Sequence, residues 1–281
     1  MRITVHSDPK PFLAQAEPLL KSDPFSTNVI ATVTTRIASG ALPSIEEPLW
    51  LTIEGDHGQV IGAAMHTPPH NIFLSRMPQD AAAALAREVA HSGRDLPGVN
   101  GAIESTRTFA RAWEGLTGRS SSIVTEMRMY SLVDLVWPEA VPGQAYRAET
   151  SRDLSVVAAW FAAFHDEAQP DGPIDDWTAM AQRRMKAGEV HLWHTAGVPV
   201  ALAGVSGAAA GVARVGPVYT PLRWRRNGYG SGITAAATAA ALGAGAQDVV
   251  LYTDLANPTS NSIYQTIGYR PNHDAEERSF S

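Results

Sequence analysis

The segment Val218-Tyr219-Thr220-Pro221-Leu222-Arg223-Trp224-Arg225-Arg226-Asn227-Gly228-Tyr229-Gly230-Ser231-Gly232 constrains this chain more than any other. Its β-branched and aromatic start reads as the end of a strand. A proline and an arginine-rich turn then lead through three alternating glycines into an alanine-rich helix. A loop that opens a helix leaves several backbone N–H groups without intrahelical partners, and these face whatever anion arrives. Glycines let that backbone come close to phosphate oxygens, because no Cβ stands in the way. Arginines add charge-assisted contacts. The segment is expected to cradle a phosphate or pyrophosphate. It is not a Gly-x-x-x-x-Gly-Lys-Ser/Thr loop, since it has no lysine. Nor is it a dinucleotide fingerprint, whose Gly-x-Gly-x-x-Gly follows its strand tightly. Here the spacing is Gly-x-Gly-x-Gly and begins well beyond Thr220.

A second segment agrees with the first. Gln247 to Asp254 reads as a buried strand that turns at Leu255-Ala256-Asn257-Pro258. Thr259 to Tyr269 then reads as a capped helix closed by Gly268. Arg-x-x-Gly-x-Gly, at Arg225, Gly228 and Gly230, resembles motif A of the GNAT superfamily of N-acetyltransferases. Asn-Pro-x-Ser-x-x-x-Tyr-x-x-x-Gly-Tyr, from Asn257 to Tyr269, is similar to motif B of the same superfamily. One intervening helix, about Ser231 to Leu242, sets the distance between them. The resemblance implies an α/β fold with a mixed sheet, the acyl-CoA N-acyltransferase fold, and acetyl-coenzyme A as acyl donor.

At 281 residues the chain suggests two domains. Trp137-Pro138-Glu139-Ala140-Val141-Pro142-Gly143-Gln144 is the natural linker, because its prolines and glycine suit neither helix nor interior strand. The expected division is 1–137, a linker at 138–144, and 145–281. The second part reads β-α-α-β-β-β-α-β-α-β. Its strands are expected at Ala145–Ala148, Gly188–Thr195, Val198–Ser206 and Ala213–Tyr219, with a helix from about Ser151 carrying Leu154, Val157, Ala158 and Phe161 on one face. The first part repeats this order in outline. A hairpin at Leu49–Glu54 and Val60–Met65 precedes a strand at Ile72–Ser75 and a helix at Gln79–Ala90. A strand at Val99–Glu104, a helix at Thr106–Leu116 and a strand at Ile123–Leu132 follow. Where the second part has its glycine loop, the first has only Ser75-Arg76-Met77-Pro78-Gln79. The expectation is therefore two tandem GNAT-like domains, the first having lost cofactor binding; an unrelated α+β domain fits the first part nearly as well.

The resemblance also distributes roles. Backbone groups of Val218, Tyr219 and Thr220 would pair with the pantetheine arm as an added strand does. Arg225, Arg226, Asn227, Gly228, Tyr229, Gly230 and Ser231 would hold the pyrophosphate, helped by the helix dipole. The alternative for Gly228, Gly230 and Gly232 is tight helix packing. Tyr264 would be the general acid, since a phenol can protonate the departing thiolate; its alternative is a plain apolar helix face. Asn257 and Ser260 would touch the coenzyme or simply cap the helix and its turn. Many relatives carry a Glu on the strand before motif A, but here that strand reads Val212-Ala213-Arg214-Val215-Gly216-Pro217. Asp254, Asp166 and Glu167 are the substitutes for a base, and none can be assigned.

Composition bounds the remainder. A net charge of −6 without a basic block argues against nucleic acid. The absence of cysteine excludes disulfides, thiolate metal sites and a cysteine nucleophile. His191 and His194 on one strand, and His66 and His70 flanking Pro68-Pro69 as loop residues, do not make a metal site. No apolar run resembles a signal or a membrane span, so a cytoplasmic location is expected. The function expected is acetyl transfer to a primary amine of a small molecule, with a homodimer left open. The alternatives are transfer of another acyl group, and a non-catalytic acyl-CoA sensor or structural protein.

Overall fold

The computed structural model of the protein describes residues 1–43, 45–168, 170, 172–174 and 176–281. Two compact units share the chain without a single cut between them. The first holds Met1–Met129, Asp254–Ala256 and His273–Ser281; the second holds Tyr130–Thr253 and Asn257–Asn272. The segment 138–144 lies within the second unit and enters a strand at Gln144.

Along the chain, β1 (Arg2–His6), α1 (Pro9–Ser22), α2 (Asn28–Ala38), β2 (Leu49–Glu54), β3 (Val60–His66) and β4 (Ile72–Leu74) come first. They are followed by α3 (Gln79–His91), β5 (Gly98–Ala102), α4 (Ile103–Thr117) and β6 (Ser121–Leu132). The same order then returns. It runs β7 (Gln144–Arg147), α5 (Thr150–Ala168), α6 (Trp177–Lys186), β8 (Val190–Thr195), β9 (Val198–Val205) and β10 (Val212–Tyr219). After these come α7 (Tyr229–Gly243), β11 (Asp248–Asp254), α8 (Pro258–Thr266) and β12 (Tyr269–Phe280). Each series is a strand, two helices, three strands, a helix, a strand, a helix and a strand.

In the first unit β1, β2, β3 and β4 pair antiparallel in sequence order, β4 pairs parallel with β5, and β5 takes β12 antiparallel. Leu51, Ile53, Leu74, Leu85, Val99, Phe109 and Trp113 fill its core together with Phe280. Phe109 stacks on Trp113 at 6.0 Å and Trp113 on Phe280 at 5.6 Å, so the end of the chain completes this core. Residues 2–38, with prolines at 9, 11 and 18, carry no element expected from the sequence. Pro9 instead opens α1, where its missing N–H is no loss, and Asp8 caps the helix by accepting from Lys10 N–H at 2.9 Å. A strand to Glu104 was also expected, but α4 starts at Ile103. Within β5, Gly101 sits at φ +147° so close to Leu74 that a Cβ would lie 2.2 Å from that carbonyl oxygen.

In the second unit β7, β8, β9 and β10 form an antiparallel run, and β10 pairs parallel with β11. Ile233, Ala237 and Ala241 of α7 pack with Val200, Ala203, Val215, Val249 and Leu251. Alanine and glycine let α7 lie close to the sheet: a Cβ on Gly232 would stand 3.1 Å from the Trp193 ring. On α5 and α6, Val157, Phe161, Ala181 and Met185 pack with Val190, Leu192 and Leu202. Each buried aliphatic of this kind contributes roughly 1.5–3 kcal/mol. Among the described residues no helix is long and apolar enough to cross a membrane.

Candidate functional site

β10 and β11 pair over only three positions, Val212–Arg214 with Asp248–Val250. Beyond Arg214 the strand continues to Tyr219 with β9 alone, Val218 opposite Ala203 and Tyr219 opposite Leu202. The two parallel strands therefore part, and Val218 to Thr220 keep one edge unclaimed by β11. An extended chain could add itself there by main-chain hydrogen bonds.

The loop after β10 makes a short 3₁₀ turn at Leu222–Trp224, and Arg226 and Gly228 take positive φ of 66° and 79°. Asn227 is spent on the loop itself, donating to the carbonyls of Trp224 (3.1 Å) and Arg225 (3.0 Å). The first hydrogen bond of α7 is Gly232 N–H to Gly228 O at 3.0 Å. Among the described residues, no acceptor meets the backbone N–H groups of Arg226 to Ser231. Six consecutive unpaired donors leading into a helix N-terminus are the arrangement an anion can accept from.

The three glycines have different reasons. Gly228 needs its positive φ. Gly232 is tight helix packing against Trp193. Gly230 has neither excuse: its φ is ordinary, and an added Cβ would find nothing nearer than Thr220 Oγ1 at 3.7 Å and Ile263 Cδ1 at 4.0 Å. A helical glycine costs roughly 0.5–1 kcal/mol relative to alanine. The space beside Gly230 leaves room for a group from outside the protein to come against the backbone.

Tyr229 anchors the loop, buried in the core and edge-on to Trp224 at 6.4 Å. Ser231 Oγ donates to Gly228 O at 2.7 Å. Arg225 turns away from the free amides. Its Nε donates to Thr220 O at 2.8 Å and its Nη2 to Glu167 Oε2 at 2.5 Å. Glu167 also accepts from the Tyr219 hydroxyl at 3.3 Å. Burial, and after it the Glu167 carboxylate, pushes the Tyr219 phenol up.

On α8, Asn257 is the N-cap: its side chain accepts from Ser260 N–H at 3.0 Å, and Pro258 opens the helix. This is the capping alternative, and it uses the Asn257 side chain. Tyr264 is buried, with its ring 6.4 Å from both Tyr130 and Tyr269. Burial pushes its hydroxyl up to about 12, against a hydrogen bond with the Ser260 side chain that pulls it down. Asp254, at the end of β11, accepts from Ala256 N–H at 2.7 Å and shapes the turn.

Neither family models nor curated proteins match this sequence. Solved structures do. A GNAT-family acetyltransferase from Colwellia psychrerythraea aligns over all of both chains at 12% identity and a TM-score of 0.61. A GCN5-related N-acetyltransferase from Sphaerobacter thermophilus aligns over 99% of this chain and 95% of its own, at 15% identity and a TM-score of 0.63. A tandem GNAT protein from the clavulanic acid biosynthesis pathway covers 100% of this chain and 98% of its own, at 12% identity and a TM-score of 0.61. The chain has the GNAT acetyltransferase fold. At these identities the likeness is one of architecture, and the expected mixed α/β fold is the one observed.

Within the GNAT fold the first unit closes the corresponding place. All three residues of β4 pair with β5, Ile72–Leu74 against Val99–Gly101, so these strands stay together. Around the start of α3 several amides already have acceptors: Arg76 N–H donates to Ser26 Oγ at 3.4 Å, Met77 N–H to Ser105 Oγ at 3.0 Å and Ala81 N–H to Asp80 Oδ1 at 2.9 Å. The first unit does hold a cavity of about 550 Å³ by the C-terminal end of α3, lined in part by Leu49, Leu51, His66, Val89, Arg94 and Pro97. His66, read from the sequence as a loop residue, is the buried last residue of β3. The last five residues of β3 are all buried, His66 with them, and the Pro-Pro pair behind it makes that strand look shorter.

Proposed function

We propose that the protein is an N-acetyltransferase that moves the acetyl group of acetyl-coenzyme A to a primary amine of a small molecule. The observation that carries this reading is the run of free amides from Arg226 to Ser231 around a glycine that no internal contact requires, next to a strand end that has left its neighbour. Acetyl-coenzyme A, when bound, supplies an activated thioester. The amides of Asn227 to Ser231 and the N-terminal dipole of α7 would hold its pyrophosphate. The open edge of Val218 to Thr220 would take the arm as a strand takes a partner.

Tyr264 is the proton donor in this account. With its hydroxyl pushed up to about 12, it stays protonated at every working pH and can hand a proton to a leaving sulfur. Ser260 orients it. No carboxylate stands on β10, Glu167 is ion-paired to Arg225, Asp254 is bonded into its turn, and Asp166 is exposed near the end of α5. The reaction is then expected to draw on the neutral fraction of the amine and to speed up as pH rises. The occupied carboxylates also favour one rival, an acyl-CoA sensor without catalysis.

Thiol release from acetyl-coenzyme A with a panel of small amines separates the two. Tyr264→Phe should lower kcat by about 10²–10⁴-fold while the coenzyme still binds. An unchanged kcat removes Tyr264 from the chemistry; binding without turnover on any amine favours the sensor.

A further inference from the structure

Three arginines cluster in the loop before α7, and their surroundings differ. Arg223 lies on the Trp224 ring at 5.7 Å. Arg226 is exposed, at φ +66°, and its side chain has no partner among the described residues. Arg225 is held from three directions: Thr220 O, Glu167 Oε2, and the Tyr219 ring 6.0 Å from its guanidinium carbon. The same Tyr219 ring meets Trp160, two turns earlier on α5, at 6.1 Å, and its hydroxyl donates to Glu167. α5 thus reaches the last residue of β10 and the first turn of the glycine loop through one carboxylate and one indole.

A strand that has parted from its parallel neighbour is steadied on one side only. Val215 to Tyr219 have β9 and no more of β11, so something else must fix where the strand ends and the loop begins. We propose that Glu167 and Arg225 are positioning residues whose ion pair clamps α5 to the end of β10 and holds the glycine loop in its receiving conformation, while Arg226 is the cation that meets the charge of the coenzyme. This rests on the reading of the loop as a pyrophosphate site. It moves Glu167 out of the role of general base and moves Arg225 away from direct phosphate contact. Two donors on one guanidinium are the reason the clamp uses arginine: Nε takes Thr220 O and Nη2 takes Glu167 Oε2, and lysine keeps the charge but not that fork.

Removal of Glu167 gives opposite signs under the two roles of Arg225. If Arg225 grips phosphate directly, Glu167→Ala frees a guanidinium, deletes a nearby negative charge and tightens coenzyme A binding. The clamp predicts weaker binding. Calorimetry with coenzyme A is expected to show Glu167→Ala and Arg225→Lys each about tenfold weaker, with the double variant Glu167→Ala/Arg225→Ala no weaker than Arg225→Ala alone. The dependence of affinity on ionic strength should stay as in the wild type for these and flatten for Arg226→Ala. A second readout needs no ligand. Trypsin should cut the Glu167→Ala loop at Arg223 to Arg226 faster than the wild-type loop, at a temperature where both proteins are folded. Tighter or unchanged coenzyme binding by Glu167→Ala, or unchanged cleavage, overturns the clamp. A wild-type protein that ignores coenzyme A while its clamp variant is cut faster would instead sink the pyrophosphate reading and leave the clamp standing.

Discussion

Gly268 and His66 show how much one position can be made to carry. Gly268 closes α8 at φ +102°, and a Cβ there would stand 1.8 Å from Asp134 O, a backbone atom that cannot swing aside. Gly268→Ala is expected to cost about 2 kcal/mol or more, read as a fall in melting temperature. A wild-type melting temperature would contradict the strain. This glycine was legible in the sequence, because a helix of Asn-Pro-x-Ser pattern needs a left-handed closure. His66 was not legible, since its burial comes from strands distant in sequence. Burial, followed by the nearby Arg94 charge, pushes its imidazole down to about 4. Such a group binds a proton in the unfolded chain, near pH 6.5, before it does in the folded one. Its stabilisation is complete above about pH 6.5 and is lost as pH falls toward 4, about 3 kcal/mol in all. His66→Leu should flatten the pH dependence of urea unfolding in that window. An unchanged slope would mean that His66 titrates normally.

At the scale of elements, the glycine loop and the helix behind it carry the sharpest expectation. Gly230→Ala introduces a Cβ with only ordinary contacts, at 3.7 Å and beyond, and an ordinary φ, so stability should rise by about 0.4–1 kcal/mol. Affinity for acetyl-coenzyme A should fall in the same protein. That pairing of signs distinguishes a ligand cradle from a packing site, where both would fall; thermal melts and calorimetry read the two halves. Motif spacing made β10, α7, β11 and α8 legible, because local turn chemistry and helix caps define their ends. Roles within them were less so. The sequence cannot show that Arg225 faces Glu167, or that the Asn257 side-chain oxygen caps α8, because both depend on where α5 and the α8 turn come to lie. That β10 and β11 part after Arg214 agrees with what the GNAT resemblance implies for the strand before motif A, though spacing alone does not reveal it; register is a property of two strands, and each strand alone looks continuous.

For the whole molecule, two series of the same ten elements follow one another, yet the compact units exchange ends of the chain. The order was readable in the second series and only in outline in the first, where prolines masked α1. The exchange was not readable at all, since nothing local marks Phe280 as a partner of Trp113. Ending the chain at Asn272 removes Phe280 from the first core, the ladder from Ala275 to Ser279 along β5, and the buried Glu276 that joins Arg107 and Arg278. The shortened protein should melt well below the full chain; equal melting would show that the first unit does not need its last strand. Acyl transfer by this protein requires the second unit to receive an anion-bearing coenzyme at its glycine loop. Calorimetric titration of acetyl-coenzyme A into the wild-type protein and into Gly228→Trp/Gly230→Trp tests that most directly. Saturable binding by the wild type that disappears in the folded double variant is the predicted result. No binding by the wild type, or equal binding by both, would contradict it.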